Sequence, residues 1–112
     1  MIVLTIDVAH PARHPDRVEG ELLSAWSAVR NSPRLRILKV IHGYGSGGKG
    51  SRTHEVVRNW AYRHRKRFRA VIEGEHYSLS DPMTRELRRE VGQYEDPDLE
   101  HHNRGMTVFW IR

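Results

Sequence analysis

The chain of 112 residues contains no cysteine. That excludes a disulfide scaffold, a thiolate zinc site and a cysteine nucleophile. No apolar run approaches the roughly 18 residues a membrane helix requires. The first residues, Met1-Ile2-Val3-Leu4-Thr5-Ile6-Asp7, lack the basic start and long apolar stretch of a secretion signal. A soluble cytoplasmic protein with no membrane contact is the expectation. Lysine is also scarce: of 19 cationic side chains three are lysine and sixteen arginine. The planar guanidinium fork suits phosphates and bases better than an ammonium point charge. The length admits a single domain, residues 1–112, that buries roughly 65% of its extended surface.

Acidic residues are unevenly spread. Residues 73–104 hold nine acids and four arginines, a net charge of −5, while the remainder carries +10, giving +5 for the chain. A polyanionic partner is the first hypothesis such a distribution raises. From charge alone, a basic protein with solvated arginines fits as well. The acidic stretch offers a second kind of partner, a basic protein.

Ile2 to Val8 is short, rich in β-branched residues and without helical period, so it reads as a strand. A helix is expected from Asp16, with Glu19 completing a capping box and Val18, Leu22, Trp26 and Val29 forming one apolar stripe. Leu35 to Ile41 makes a second strand, apolar enough to be covered on both faces. A glycine-rich loop, Gly43-Tyr44-Gly45-Ser46-Gly47-Gly48-Lys49-Gly50, follows it, and then a helix capped by Ser51 or Thr53 with Val56, Val57, Trp60 and Ala61 inward. Phe68 to Ile72 and Met106 to Ile111 are the third and fourth strands. Between them Asp81-Pro82 opens a third short helix, with Met83, Leu87 and Val91 on one face and Gly92 as its stop. The pattern predicts an α/β fold with parallel neighbours and a final antiparallel strand.

Strand, glycine loop, helix presents backbone N–H groups to phosphate, and three chemistries compete for it. Gly43, Gly48 and Lys49 match the spacing of a nucleotide P-loop, but Gly50 stands where Ser or Thr should hold magnesium. Gly43, Gly45 and Gly48 fit a dinucleotide fingerprint, but its acid would have to be Glu73, ~25 residues on. The third reading is a nucleic-acid backbone site. Lys49 and Arg52 lie in the loop and first helical turn, and His42 precedes them. The helix ends in Arg63-His64-Arg65-Lys66-Arg67-Phe68-Arg69. Read alone, that run is a solvated helix end favoured by the dipole. Together with the basic loop it forms one edge of a phosphate-tracking surface, the preferred reading.

Ile41-His42-Gly43-Tyr44-Gly45-Ser46-Gly47 resembles the hallmark loop of the Smr (small MutS-related) family, I-H-G-x-G-x-G between a strand and a helix. Ile6-Asp7-Val8 falls where that family has its L-D-L-H-G element, and Gly105 to Ile111 resembles its closing glycine and strand. The resemblance implies a two-layer βαβαββ sandwich with a four-stranded mixed sheet and two main helices, to which the residues add the short helix before the last strand. It leaves 73–104 as an acidic insertion. It implies DNA or RNA binding and, in several members, endonuclease or nicking activity. By position, Asp7 takes the place of the family aspartate, and His42, Gly43 and Gly45 match the loop. Where the family's first histidine stands this chain has Ala9, with His10 next.

Strand alternation would turn His10 away from Asp7 unless the bend before Pro11 redirects it. Phosphodiester cleavage needs a group to activate the nucleophile and charge to stabilise the pentavalent phosphate. Asp7, His42 and His10 are the catalytic candidates, and a divalent metal such as magnesium or manganese is left open. For Asp7 the competing role is a carboxylate that accepts hydrogen bonds from the following turn. The nucleic-acid candidates are Gly43, Tyr44, Gly45, Gly47, Lys49, Arg52, Arg63, Arg65, Lys66 and Arg67. His76, His101 and His102 have no diagnostic ligand spacing and read as loop histidines, so no metal site is expected. Trp26 and Trp60 read as core, and Tyr44 at the loop tip as the stacking residue. The expected function is a nucleic-acid-binding domain with endonuclease activity open; the alternative is a non-catalytic nucleic-acid or ribosome-associated adaptor.

Overall fold

The computed structural model describes residues 2–44 and 49–112, with the backbone alone for 49–51. Its elements run β1 (Val3–Asp7), α1 (Pro15–Arg30), β2 (Ile37–Ile41), α2 (Lys49–Arg63), β3 (Phe68–Glu73), α3 (Pro82–Val91) and β4 (Met106–Ile111). The four strands form one mixed sheet in the order β1-β2-β4-β3, with β1 and β2 parallel and both other pairings antiparallel. This is the α/β class and βαβαββ order expected from the sequence. The last strand enters the middle of the sheet because all six of its residues are buried, a run that only an interior strand satisfies on both faces.

Helix α1 starts earlier than the Asp16 cap expected. Pro15 takes the first helical turn and His14 is the cap, its ring nitrogen accepting from the Asp16 N–H at 3.1 Å. Proline has no N–H to satisfy and a pre-set φ, so it fits that position better than the aspartate does. Val18, Leu22, Ala25 and Val29 face inward, and Trp26 packs half-buried at the margin. With Val57 and Trp60 of α2 they cover one face of the sheet against Leu38, Val40, Phe68, Phe109 and Ile111.

The other face is covered by the acidic segment. Tyr77 and Leu87 pack on Ile37, Ile72, Met106, Val108 and Trp110. Helix α3 is capped by Asp81, whose Oδ2 accepts from the Thr84 N–H at 2.9 Å. Its inward residues are Thr84, Leu87 and Arg88, while Met83, expected on that face, is exposed. Thr84 tolerates burial because its hydroxyl donates to Asp81. Among the described residues Arg88 donates only through Nη2, to the Tyr94 carbonyl, with its guanidinium over the Tyr94 ring and its Nε and Nη1 buried without hydrogen-bond partners. Beneath the segment, the buried Lys39 of β2 is paired with Asp96 and with Asp98, the latter at 2.8 Å, and the Tyr77 hydroxyl also donates to Asp96. Gly74, which begins the segment, has no room for a side chain: a Cβ there would lie 2.0 Å from the Asn103 carbonyl oxygen. No helix among the described residues is long and apolar enough to cross a membrane.

Candidate functional site

The parallel strands β1 and β2 end where β4 begins, since Asp7 stands opposite Ile41 and Ile41 opposite Met106. Ligands of open α/β sheets gather at such strand ends. His42 leaves β2 here, fully buried, and the Gly105 carbonyl receives both the His42 N–H at 2.8 Å and the Gly43 N–H at 3.1 Å. Two glycines make that approach feasible. Gly43 has φ +78°, a left-handed conformation that side chains resist, and a Cβ on Gly105 would lie 3.3 Å from the Gly43 backbone.

The His42 ring locks this base. Its Nδ1 lies 2.8 Å from the Gly43 carbonyl oxygen, which can only accept, so Nδ1 carries the proton. Its Nε2 then accepts from the Thr107 hydroxyl at 2.8 Å. The ring stacks on His54 of α2, centroids 4.3 Å apart and nearly parallel. Burial above all pushes the His42 pKa down to about 4, the Gly43 hydrogen bond opposing and His54 adding to the drop. His42 is therefore neutral near pH 7 and enclosed, and it ties the loop to β4 and α2.

Asp7 and His10 lie beside this frame and face solvent. The chain folds back over the Asp7 carboxylate, whose Oδ1 accepts from the N–H groups of Ala9 at 2.9 Å and His10 at 3.0 Å. This turn overrides strand alternation and brings the His10 ring onto the carboxylate, Nδ1 2.8 Å from Oδ2. Burial works to raise the Asp7 pKa, but the Ala9 N–H and the His10 ring and N–H outweigh it and hold it below the usual range. The hydrogen-bond acceptor and the His10 orienter are thus the same carboxylate. With Nδ1 donating to Asp7, His10 Nε2 bears the lone pair, and the side chain is 68% exposed. Arg13 braces the turn, donating to the Asp7 and Pro11 carbonyls and to Glu21.

Tyr44 projects from the loop, and its hydroxyl receives Arg104 Nη1 at 2.7 Å. Arg104 also approaches Glu75 at 3.5 Å. Arg52, in the first turns of α2, is exposed, and that first turn has no acid to oppose an anion. Gly45 and Gly47 lie outside the described residues, as does the side chain of Lys49. Arg63, Arg65, Lys66 and Arg67 are not brought to this site: they close the far end of α2, ~20 Å away at 1.5 Å per residue. Arg63 is paired there with Glu19 at 2.7 Å, and Arg67 stacks on Trp26 at 4.4 Å. Trp60 is core, as expected. Among the described residues, ligand atoms of Glu73, Glu75 and His76 gather within 4.8 Å, beside Arg104. His102 instead binds the Glu75 carbonyl through Nδ1.

Sequence reasoning missed Thr107, Arg104 and Arg13. Thr107 sits in an apolar strand where a hydroxyl carries no signal until the register places it beside His42. Arg104 and Arg13 were two arginines among sixteen.

No protein-family model and no curated protein matches this chain. Among solved structures it is similar to the crystal structure of the Smr domain of Thermus thermophilus MutS2, at 16% identity and a TM-score of 0.57. The likeness covers 100% of this chain and 99% of that one. The fold is therefore Smr-like, in agreement with the loop motif.

Proposed function

We propose that this chain binds nucleic acid through its phosphodiester backbone at the glycine-loop end of the sheet, and that the Asp7–His10 pair there hydrolyses a phosphodiester. The observation that carries the reading is convergence. An acid-free helix start, the exposed cations Arg52 and Arg104, an exposed Tyr44 and a solvent-facing Asp–His pair all meet beside one loop. Backbone N–H groups and arginine hold phosphate, and tyrosine offers a face to a base.

In the hydrolytic step, His10 Nε2 takes a proton from water and the hydroxide attacks phosphorus. The P–O bond opposite breaks, the leaving oxygen on that far side takes a proton from solvent water, and the His10 imidazolium returns its own proton to solvent. Asp7 orients the ring and stabilises its cationic form, as carboxylates do for catalytic histidines. His42 acts as a positioning residue that sets the loop; its burial and low pKa suit it to that role. Asp7 also has the means to hold magnesium or manganese, although its oxygens already accept from Ala9 and His10.

The test is incubation with supercoiled plasmid and with structured RNA, with and without divalent metal. Wild type is expected to nick or cut one of them, and Asp7→Ala and His10→Ala to lose at least ~100-fold in rate while folding normally. Binding without cleavage would leave a non-catalytic adaptor, the second reading, which the same exposed Tyr44 and Arg52 support. A basic protein partner for 73–104 draws less support, because Asp96 and Asp98 turn inward to Lys39, Asp81 caps α3, and Glu100 accepts from the Leu79 N–H.

A further inference from the structure

Nine of the nineteen cationic side chains gather at the opposite end of the molecule from the loop. Three chain segments meet where β2 and β3 begin and β4 ends: residues 30–36, residues 63–69, and Arg112. They are joined by backbone hydrogen bonds, Ile111 N–H to the Arg36 carbonyl at 3.0 Å and Arg112 N–H to the Arg67 carbonyl at 3.2 Å. Together they carry nine cations and no acid.

Ion pairing does not discharge this end. Arg63 reaches Glu19, and among the described residues no carboxylate pairs with the other eight. Two clefts open between them. One, of about 260 Å³, is lined by Arg30, Ser32, Leu35, Arg36 and Arg112. The other, of about 170 Å³, is lined by Arg36, Arg69, Trp110 and Arg112, with Glu90 at its margin. Guanidinium groups are set on aromatic rings around them: Arg69 at 5.5 Å from the Trp110 centroid, Arg67 at 4.4 Å from Trp26, Arg65 at 4.3 Å from the exposed Tyr62. Stacking orders a guanidinium while leaving its N–H edge free for phosphate.

We infer that this arginine end is a second nucleic-acid backbone site, centred on the clefts shared by Arg36, Arg69 and Arg112 and distinct from the glycine loop. Concentrated like charge destabilises the fold by self-repulsion, and a polyanion relieves it. Phosphate is the matching chemistry because eight of the nine cations are arginine. The inference rests on the nucleic-acid reading above but assigns different residues. It gives the domain two contacts ~20 Å apart along α2, so that one strand bound at both gains from effective concentration.

The test is fluorescence anisotropy with DNA and RNA strands of about 20 nucleotides, between about 50 and 200 mM salt. Wild type is compared with an arginine-end variant, Arg36→Ala/Arg69→Ala/Arg112→Ala, and a loop variant, Tyr44→Ala/Arg52→Ala. All five positions are exposed, and a thermal melt verifies that both variants fold. The arginine-end variant is expected to bind at least ~10-fold more weakly, with a salt slope shallower by about 2, the value for three single-strand phosphates. DNA and RNA affected alike identifies backbone recognition; loss for one alone identifies that strand type as the occupant. An unchanged arginine-end variant beside a weakened loop variant would overturn the second site and keep the first. The converse result would keep the second site and discard the loop reading. Should the arginine-end variant lose affinity only for a poly-glutamate peptide, the occupant is an acidic protein and the inference falls.

Discussion

His42 shows how a residue type associated with proton transfer can be held out of solvent for another purpose. Both ring nitrogens are engaged, and the ring lies flat on His54. Its folded pKa of about 4 lies below the ordinary imidazole value of 6.5, so the unfolded chain binds the proton more readily between those values. The stability it contributes is full above pH 6.5 and is lost as pH falls through 6.5 toward about 4. That loss is about 3 kcal/mol. Urea unfolding across that window should show a drop that His42→Asn largely removes. Thr107→Val leaves Nε2 buried without its donor and should cost about 1–3 kcal/mol at neutral pH, with Thr107→Ser close to wild type. Asp7 runs on different physics: its oxygens organise a turn, and the same contacts point His10. This explains why the Ala9 departure does not strip the site of its imidazole. The periodicity of a strand could not reveal it, because the arrangement depends on a turn formed only once the carboxylate gathers the following N–H groups.

At the scale of elements, what could be read from the chain was what local physics decides. Helix α3 carries its cap and its stop in Asp81-Pro82 and Gly92, and β4 its burial in six consecutive residues. The insertion of β4 between β2 and β3 was not readable, since pairing partners far apart in sequence leave no local trace. Nor was the use of the acidic segment. Its charge suggested a docking segment for a basic protein, yet the Asp96 side chain is wholly buried against Lys39, while that of Asp98 is partly exposed. Asp96→Ala strands a buried ammonium and should destabilise by roughly 3 kcal/mol, near the lower end for a broken buried pair because Asp98 still holds Lys39. Asp98→Ala, at a wetter position, should cost less than about 1 kcal/mol. Denaturant midpoints of the two variants test that order, and equal losses would contradict it. Gly74→Ala should be worse than either, for a methyl 2.0 Å from the Asn103 oxygen forces the segment off the sheet.

For the molecule as a whole, the sheet sets two ends apart. One gathers the loop, the start of α2 and the Asp7–His10 pair, while the other gathers nine cations without an acid in their segments. A sum of +5 hides both. The acidic segment chiefly closes the second face of the sheet, with Asp96 and Asp98 paired with Lys39, and it lends Arg104 to the loop end. The proposed binding of nucleic acid through its backbone is tested most directly by the salt dependence of wild-type affinity for an oligonucleotide. Backbone binding predicts a linear fall of log K with log salt, with a slope of about −2 or steeper. Absence of binding at about 50 mM salt, or an affinity indifferent to salt, would contradict it.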